Sequence, residues 1–238
     1  MKDMAAFKVE TLSNLLIGGA TLPFEIGGID QHTVVDQEGF PYIPGSSIKG
    51  SLRTIIRDDE SNMAKEITDL YISYLKEKWA EDWKLIQEFV KEKEKLDRIE
   101  TVYKKVLRDA SAEYLFGIEG FDHTPKLLFE DLLLIPELRN KEICFSIDMK
   151  NSISIGAEKP ESNPRSYKTA RSGLVFEGVV HFYRLGFLGG NAEDLCRAFI
   201  IENLKKFNSG IYRLGNSKSR GYGKIKVIPA GESEANKE

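Results

Sequence analysis

The chain has 238 residues, a net charge of −3, and 41% hydrophobic, 10% aromatic and 30% charged residues. That length predicts one large domain or two small ones, with a core that needs no disulfide staples, and the aromatic content excludes wholesale disorder. No apolar run approaches the roughly 18 residues of a membrane span, Met1 to Lys8 lacks a basic-then-apolar signal pattern, and Cys144 and Cys196 read as buried thiols of a reducing cytoplasm. The small net charge hides an asymmetry: residues 1–60 carry −4 and residues 141–228 carry +7. A basic half on an acidic protein is what a local polyanion site needs.

Phe7 to Ile17 predicts a strand, with Phe7, Val9 and Thr11 alternating ahead of Gly18-Gly19. Residues 18–44, rich in Gly, Pro and polar side chains, predict a long loop of the kind that is often functional. Gly45-Ser46-Ser47 predicts a helix N-cap, and the helix Ile48–Arg57 follows with Ile48, Leu52, Ile55 and Ile56 as its apolar stripe. Between 61 and 110 apolar residues keep helical spacing, from Ile67, Tyr71 and Leu75 through Trp79, Trp83, Ile86 and Val90. After the run Lys91-Glu92-Lys93-Glu94-Lys95 the stripe resumes at Leu96, Ile99, Tyr103 and Val106. This predicts a helical insertion of one or two amphipathic helices with a solvated charged face.

Leu127 to Ile135 predicts a strand. Ile143 to Met149 predicts another, with Ile143, Phe145, Ile147 and Met149 on one face. Gly173 to Tyr183 alternates as well, and the polar stretch Ser152 to Ser172 reads as a projecting loop joining two antiparallel strands. Asn191 to Phe207 predicts a helix and Lys224 to Ile228 a short strand. The polar tail 230–238 is expected to fray. The order predicts an α+β, ferredoxin-like βαββαβ core over 1–60 and 111–229, interrupted by the insertion 61–110. The fold alone decides little about function.

Two segments carry chemistry. Gly215 to Gly223 has glycines that let backbone approach a phosphate, with Lys218, Arg220 and Lys224 for charge and Tyr222 as a stacking face. A tight turn before an edge strand explains the glycines equally well. It fits neither the P-loop pattern nor the dinucleotide-binding spacing. In Pro44-Gly45-Ser46-Ser47-Ile48-Lys49-Gly50-Ser51-Leu52-Arg53, hydroxyl residues at a helix start with a Lys one turn in suit a phosphate. Ordinary capping also explains Ser46 and Ser47.

Together these segments resemble the RAMP superfamily of CRISPR effector proteins. Pro44 to Arg53 is similar to its PGSSLKGxLR signature. Ser219 to Lys224 is similar to the Ser-Arg-Gly-Tyr-Gly-Lys ending of its glycine-rich loop, and Leu115-Phe116-Gly117 to a third, shorter signature. The resemblance implies an RRM-like core and a projecting thumb β-hairpin at about 150–172, since Lys150-Asn151 to Arg171 resembles that hairpin. Ile29-Asp30, followed by Val34 and Asp36, resembles the loop that carries a catalytic aspartate in the repeated backbone subunit of type III complexes. Asp30 is the matching position and Asp36 a second candidate. Leu16-Ile17-Gly18 departs from the His-Ile-Gly of that subunit, and the insertion is larger than its pattern.

The resemblance implies binding of guide RNA (crRNA) and metal-dependent cleavage of complementary target RNA. RNA supplies the 2′-hydroxyl nucleophile, and cleavage needs in-line geometry, proton removal and stabilisation of phosphoryl charge. Asp30 would accept the proton or hold a divalent metal, for which Mg²⁺ suits carboxylate and phosphate oxygens. By spacing alone Asp30 reads as a loop-capping carboxylate. RNA contacts would come from Ser46, Ser47, Lys49 and Arg53 on the first helix. Asn151, Arg165, Lys168 and Arg171 on the thumb would add theirs, with Tyr167 for stacking, and Lys218, Ser219 and Arg220 would contribute from the glycine-rich loop. Each Lys and Arg is equally read as a solvated surface charge. Phosphate contacts would make binding salt-sensitive and largely independent of sequence. The implied partners are other effector subunits and adjacent copies of the chain in a cytoplasmic ribonucleoprotein, with no membrane. Two other readings stay open: a non-catalytic scaffold or end-capping subunit, and a metal-free guide-processing endoribonuclease, for which His32 is the histidine in a suitable loop.

Overall fold

A computed structural model of the chain describes residues 4–18, 29–155 and 160–231, without the side chains of 152–155 and 160–163. In chain order the elements are β1 (Met4–Thr11), β2 (Gln31–His32), α1 (Gly45–Arg57), α2 (Asn62–Phe89), α3 (Lys93–Arg108), β3 (Lys126–Phe129), β4 (Leu133–Leu134), the one-turn α4 (Lys141–Cys144), β5 (Phe145–Ile155), β6 (Pro160–Ala170), β7 (Val175–Tyr183), α5 (Ala192–Lys205) and β8 (Ile225–Pro229). One sheet runs β3-β7-β1-β8 with β4 also on β7, and a second runs β2-β6-β5. The first sheet with α1 and α5 is the expected βαββαβ plan, and the whole is α+β.

By its contacts the chain forms two compact units: one of Met1–Met4, Leu52–Leu128 and Val180–Asn203, the other of Ala5–Ser51, Phe129–Val179 and Leu204–Glu238. In the first unit the stretch 61–110 is helical as expected and forms two helices, α2 and α3. No Gly or Pro separates them. The break at 90–92 lets α3 fold back, so that Tyr103 stacks on Trp79 with centroids 3.9 Å apart and Trp79 stacks on Trp83 at 4.5 Å. A single straight helix would leave that apolar stripe in water. Ser61 caps α2 by accepting from the Ala64 N–H, and Ile67, Tyr71 and Leu75 are buried. The Tyr71 hydroxyl donates to the Pro125 carbonyl at 2.8 Å.

In the second unit β1 and β8 pair antiparallel from Phe7↔Pro229 to Thr11↔Ile225, burying Phe7, Val9 and Thr11 against Ile225 and Val227. β1 stops at Thr11, short of the expected Ile17. Leu15, Leu16 and Ile17 are all buried, which an alternating strand does not allow, and their backbone bonds go to several segments instead. The expected strand Leu127–Ile135 is broken, because Leu132 bonds Ile43 through its backbone and Asp131 turns to cap α1.

The region after Ile143 is paired differently from the expectation. Ile143–Met149 and Gly173–Tyr183 do not pair with each other, and of the expected loop residues 152–155 and 160–170 are strand. β5 and β6 form an antiparallel hairpin from Phe145↔Ala170 to Ile155↔Pro160, the hairpin that the resemblance implied, while β7 joins the other sheet. Of the expected frayed tail, residues 232–238 lie outside the described residues, as do 19–28 of the long loop. No helix among the described residues is long and apolar enough to cross a membrane. Cys144 and Cys196 are free and buried.

Candidate functional site

The glycine-rich loop is fastened to the segment that follows β1. Leu12 and Ser13 donate to the Lys224 carbonyl, Gly223 donates to Asn14, and Asn216 donates to Leu16. The Lys224 N–H donates to the Ser13 hydroxyl at 2.9 Å. Two glycines are required by this approach. A Cβ on Gly223 would run into the Leu214 carbonyl and one on Gly215 into the Leu16 carbonyl, and both have positive φ. Between them Lys218–Arg220 make a 3₁₀ turn bounded by left-handed Ser217 and Gly221. The side chains of Lys218, Ser219 and Arg220 are exposed.

The β5–β6 hairpin presents two faces. Phe145, Ile147, Met149, Ser166 and Lys168 share one, on which Ile147 is 66% and Met149 77% exposed. The apolar alternation in β5 therefore marks a solvent-facing side. The other face carries Ser146, Asp148, Lys150, Arg165, Tyr167 and Thr169. Here Tyr167 is 3% exposed and Tyr222 4%, which removes both as open stacking platforms for bases. Each belongs to packing beside Asp148.

Asp148 is the polar centre of this face. Its carboxylate accepts from the Tyr222 hydroxyl at 2.7 Å, Asn14 Nδ2 at 3.0 Å, Ser146 Oγ at 3.0 Å and Thr169 Oγ1 at 3.3 Å. Partial burial pushes the carboxyl up, but the bonds from Tyr222, Asn14, Ser146 and Thr169 outweigh it and hold the group below its ordinary value. Burial, and then the bond to Asp148, push the Tyr222 phenol far up. Lys150 sits 4.0 Å from the Tyr222 ring centroid and donates to the Arg220 carbonyl at 3.2 Å. Asp148, Asn14 and Lys150 were not among the sequence candidates. A lone acid amid the alternation of β5 was the available signal.

Asp30 lies at the root of the same hairpin. β2 pairs parallel to β6, with Gln31 opposite Tyr167 and His32 opposite Lys168. Asp30 Oδ2 accepts from the Ser166 backbone N–H at 2.6 Å and its hydroxyl at 3.2 Å, and the Asp30 N–H donates to the Ser166 carbonyl. The residue is exposed. Asp36 is differently employed: Oδ1 accepts from the Glu38 and Phe40 N–H groups, and Oδ2 pairs with Arg139 at 2.7 Å. Both its oxygens hold the turn. Among the described residues no group of three or more His, Cys, Asp or Glu could hold a metal ion. Asp30, with Oδ2 already bonded, is a single carboxylate, and the described residues do not by themselves complete a shell for a hard divalent ion.

The start of α1 is capped from below, the Gly45 N–H donating to Asp131 Oδ1 at 2.8 Å, and a Cβ on Gly45 would strike the Phe129 and Glu130 carbonyls. Ser46 is exposed, Ser47 and Lys49 half-buried. Arg53 belongs to the other compact unit, where its guanidinium pairs with Glu113 at 3.0 Å beside Arg57. Partial burial raises the Glu113 carboxyl, and the two guanidinium bonds more than offset this and lower it. In the second unit, then, the hairpin root meets the glycine-rich loop through Asp148 and Lys150 and meets Asp30 through Ser166, whereas Arg53 is committed to an ion pair. Asn151, Arg165 and Arg171 are exposed along the hairpin and Lys168 lies over the Phe145 ring at 4.2 Å.

Comparison with known proteins agrees with this architecture. The RAMP superfamily model matches residues 8–226, and the chain belongs to that superfamily. Among solved structures, a chain of the type III-B Cmr-beta complex bound to cognate target RNA superposes with a TM-score of 0.54 at 20% identity. The match covers 95% of this chain but only 60% of that one. Cmr6 from Pyrococcus furiosus aligns at 18% identity and a TM-score of 0.42, over 94% of this chain and 97% of its own. No curated protein sequence matches the chain.

Proposed function

We propose that this chain is a guide-RNA-binding subunit of a type III CRISPR effector complex, in which Asp30 takes part in cutting the paired target RNA. The observation that carries the reading is the glycine-rich loop. Its exposed Lys218, Ser219 and Arg220 are held on a backbone that two sterically required glycines bring against the segment after β1. Such a loop offers cations to a backbone of phosphates without selecting bases. The exposed Arg165 and Arg171 of the hairpin extend the same charge. Membership of the superfamily, and a neighbour described with target RNA bound, support the assignment.

For cleavage, the residues supply one exposed carboxylate on a rigid seat. Ser166 bonds Asp30 Oδ2 through two donors, and in this reading Oδ1 serves the substrate. There Asp30 would accept the 2′-hydroxyl proton or contribute one oxygen to holding a hard divalent ion, whose chemistry would be charge stabilisation at the phosphoryl group. The same two bonds favour a second reading. They tie Oδ2 to the hairpin strand as a loop-capping carboxylate would be tied, which fits a scaffold subunit that binds guide RNA and does not cut.

The two readings part in the assembled complex, given end-labelled complementary RNA and Mg²⁺. A regular ladder of products lost in Asp30→Ala, and kept in Asp36→Ala, is the result expected of a cutting subunit. An unchanged ladder in both variants would leave the chain a scaffold, with the nuclease in another subunit.

A further inference from the structure

The Asp148 carboxylate has four partners drawn from four segments: Asn14 after β1, Ser146 on β5, Thr169 on β6 and Tyr222 in the glycine-rich loop. Every one of them donates and none is charged. An ionised carboxylate offers about four acceptor sites and no donor, which matches a set in which every bond runs toward it. Asn14 ties the node further, its Oδ1 accepting from the Ser172 N–H and its carbonyl from Gly223. Lys150, two residues along the same face, covers the Tyr222 ring and bonds the Arg220 carbonyl. The loop that carries Lys218 and Arg220 therefore has one side-chain tether to the hairpin at each end of Arg220-Gly221-Tyr222.

We propose that Asp148 is a positioning residue for polyanion binding: it sets the glycine-rich loop against the hairpin root so that Lys218 and Arg220 present their charges together. This rests on the RNA-binding reading above. Asp148 itself touches no ligand and acts through Tyr222. Asparagine, although isosteric, replaces one acceptor oxygen by an N–H₂ group and removes the charge, so Asp148→Asn weakens the node without leaving a cavity.

The full-length chain serves for the test, with two readouts. Hydrogen exchange of the free protein reports the node itself. Asp148→Asn and Tyr222→Phe are expected to lose protection at Asn216 and Gly223, whose N–H groups bond the segment after β1, while Ile67 and Tyr71 keep theirs. Fluorescence anisotropy with a labelled single-stranded RNA, titrated over salt, reports the consequence. Both variants are expected to bind about three- to tenfold more weakly, with a shallower salt slope, and Asp148→Asn is expected to add nothing in a Lys218→Ala/Arg220→Ala background. A merely structural role would lower the melting temperature and leave that slope unchanged. Unaltered protection at 216 and 223, or an equal loss of affinity in both backgrounds, would overturn the proposal. Should the wild type fail to bind RNA while protection is lost as expected, the RNA-binding reading falls and the positioning of the loop stands. Asp148→Ala, which opens a hole and risks misfolding, is not needed.

Discussion

The helical insertion and the hairpin root are held together by different physics. α2 and α3 rest on apolar burial and a stacked Trp83–Trp79–Tyr103 series, with their charges turned to water. The hairpin root rests on a carboxylate shared by four polar donors and on backbone bonds to a glycine-rich loop, while its apolar residues Ile147 and Met149 face solvent. Apolar burial is tolerant of detail and fixes a shape. A fully satisfied polar node is intolerant and fixes a geometry. The second is what a binding surface requires, and the candidate site is built there.

The sharpest break of this contrast is expected at Gly223. Gly223→Ala puts a Cβ into the Leu214 carbonyl at a φ of +75, which should cost roughly 4 kcal/mol or more and shift the urea unfolding midpoint accordingly. Next in size is the insertion. Ile67→Ala should cost about 3 kcal/mol by chemical denaturation and leave RNA affinity of the folded fraction at the wild-type value. Lost affinity there would bring the insertion into the binding surface. Third comes the loop's charge. Lys218→Ala/Arg220→Ala should change stability by less than about 0.5 kcal/mol. The same pair should lower the slope of log affinity against log salt by about 1.4 units, two phosphate contacts on single-stranded RNA.

The smallest effect concerns pH. Glu113 has its carboxyl held low by Arg57 and Arg53 against the opposing push of burial. A depressed folded value contributes stability that is present above the unfolded value, near pH 4.3, and is lost as pH falls through the folded one. Wild type should thus exceed Glu113→Gln in melting temperature at pH 7, and the gap should close in acid. A gap that widened in acid would contradict this assignment of the ion pair.

What could be read from residues alone follows the same division. The stripe from Ile67 to Tyr103 announced the insertion, because helical burial repeats every three or four residues, though nothing in the run 91–95 marked where the chain would fold back. The signatures at Pro44–Arg53 and Ser219–Lys224 announced the superfamily and its βαββαβ core. The same alternation in β5 gave no sign of which face meets solvent: period two reports two faces without saying which is inside. Tyr167 on the thumb and Tyr222 in the glycine-rich loop read as stacking faces and proved to be buried, Tyr222 bonding Asp148 and Tyr167 lying opposite it in the hairpin. The node itself joins residues 14, 146, 148, 169 and 222, separations that no local pattern records. Asp36 stood as a second candidate behind Asp30 in the loop. The structure gives them different surroundings, Asp36 holding its own turn with Arg139 and Asp30 bonded by Ser166 through Oδ2.

The most direct test is photocrosslinking of the full chain to guide RNA carrying 4-thiouridine, with the crosslinked peptides located by mass spectrometry. Crosslinks concentrated in residues 165–171 and 218–222, and reduced in Lys218→Ala/Arg220→Ala, are the predicted result. Crosslinks confined to α2 and α3, around Trp79 and Trp83, would contradict the assignment of RNA binding to the hairpin root and its glycine-rich loop.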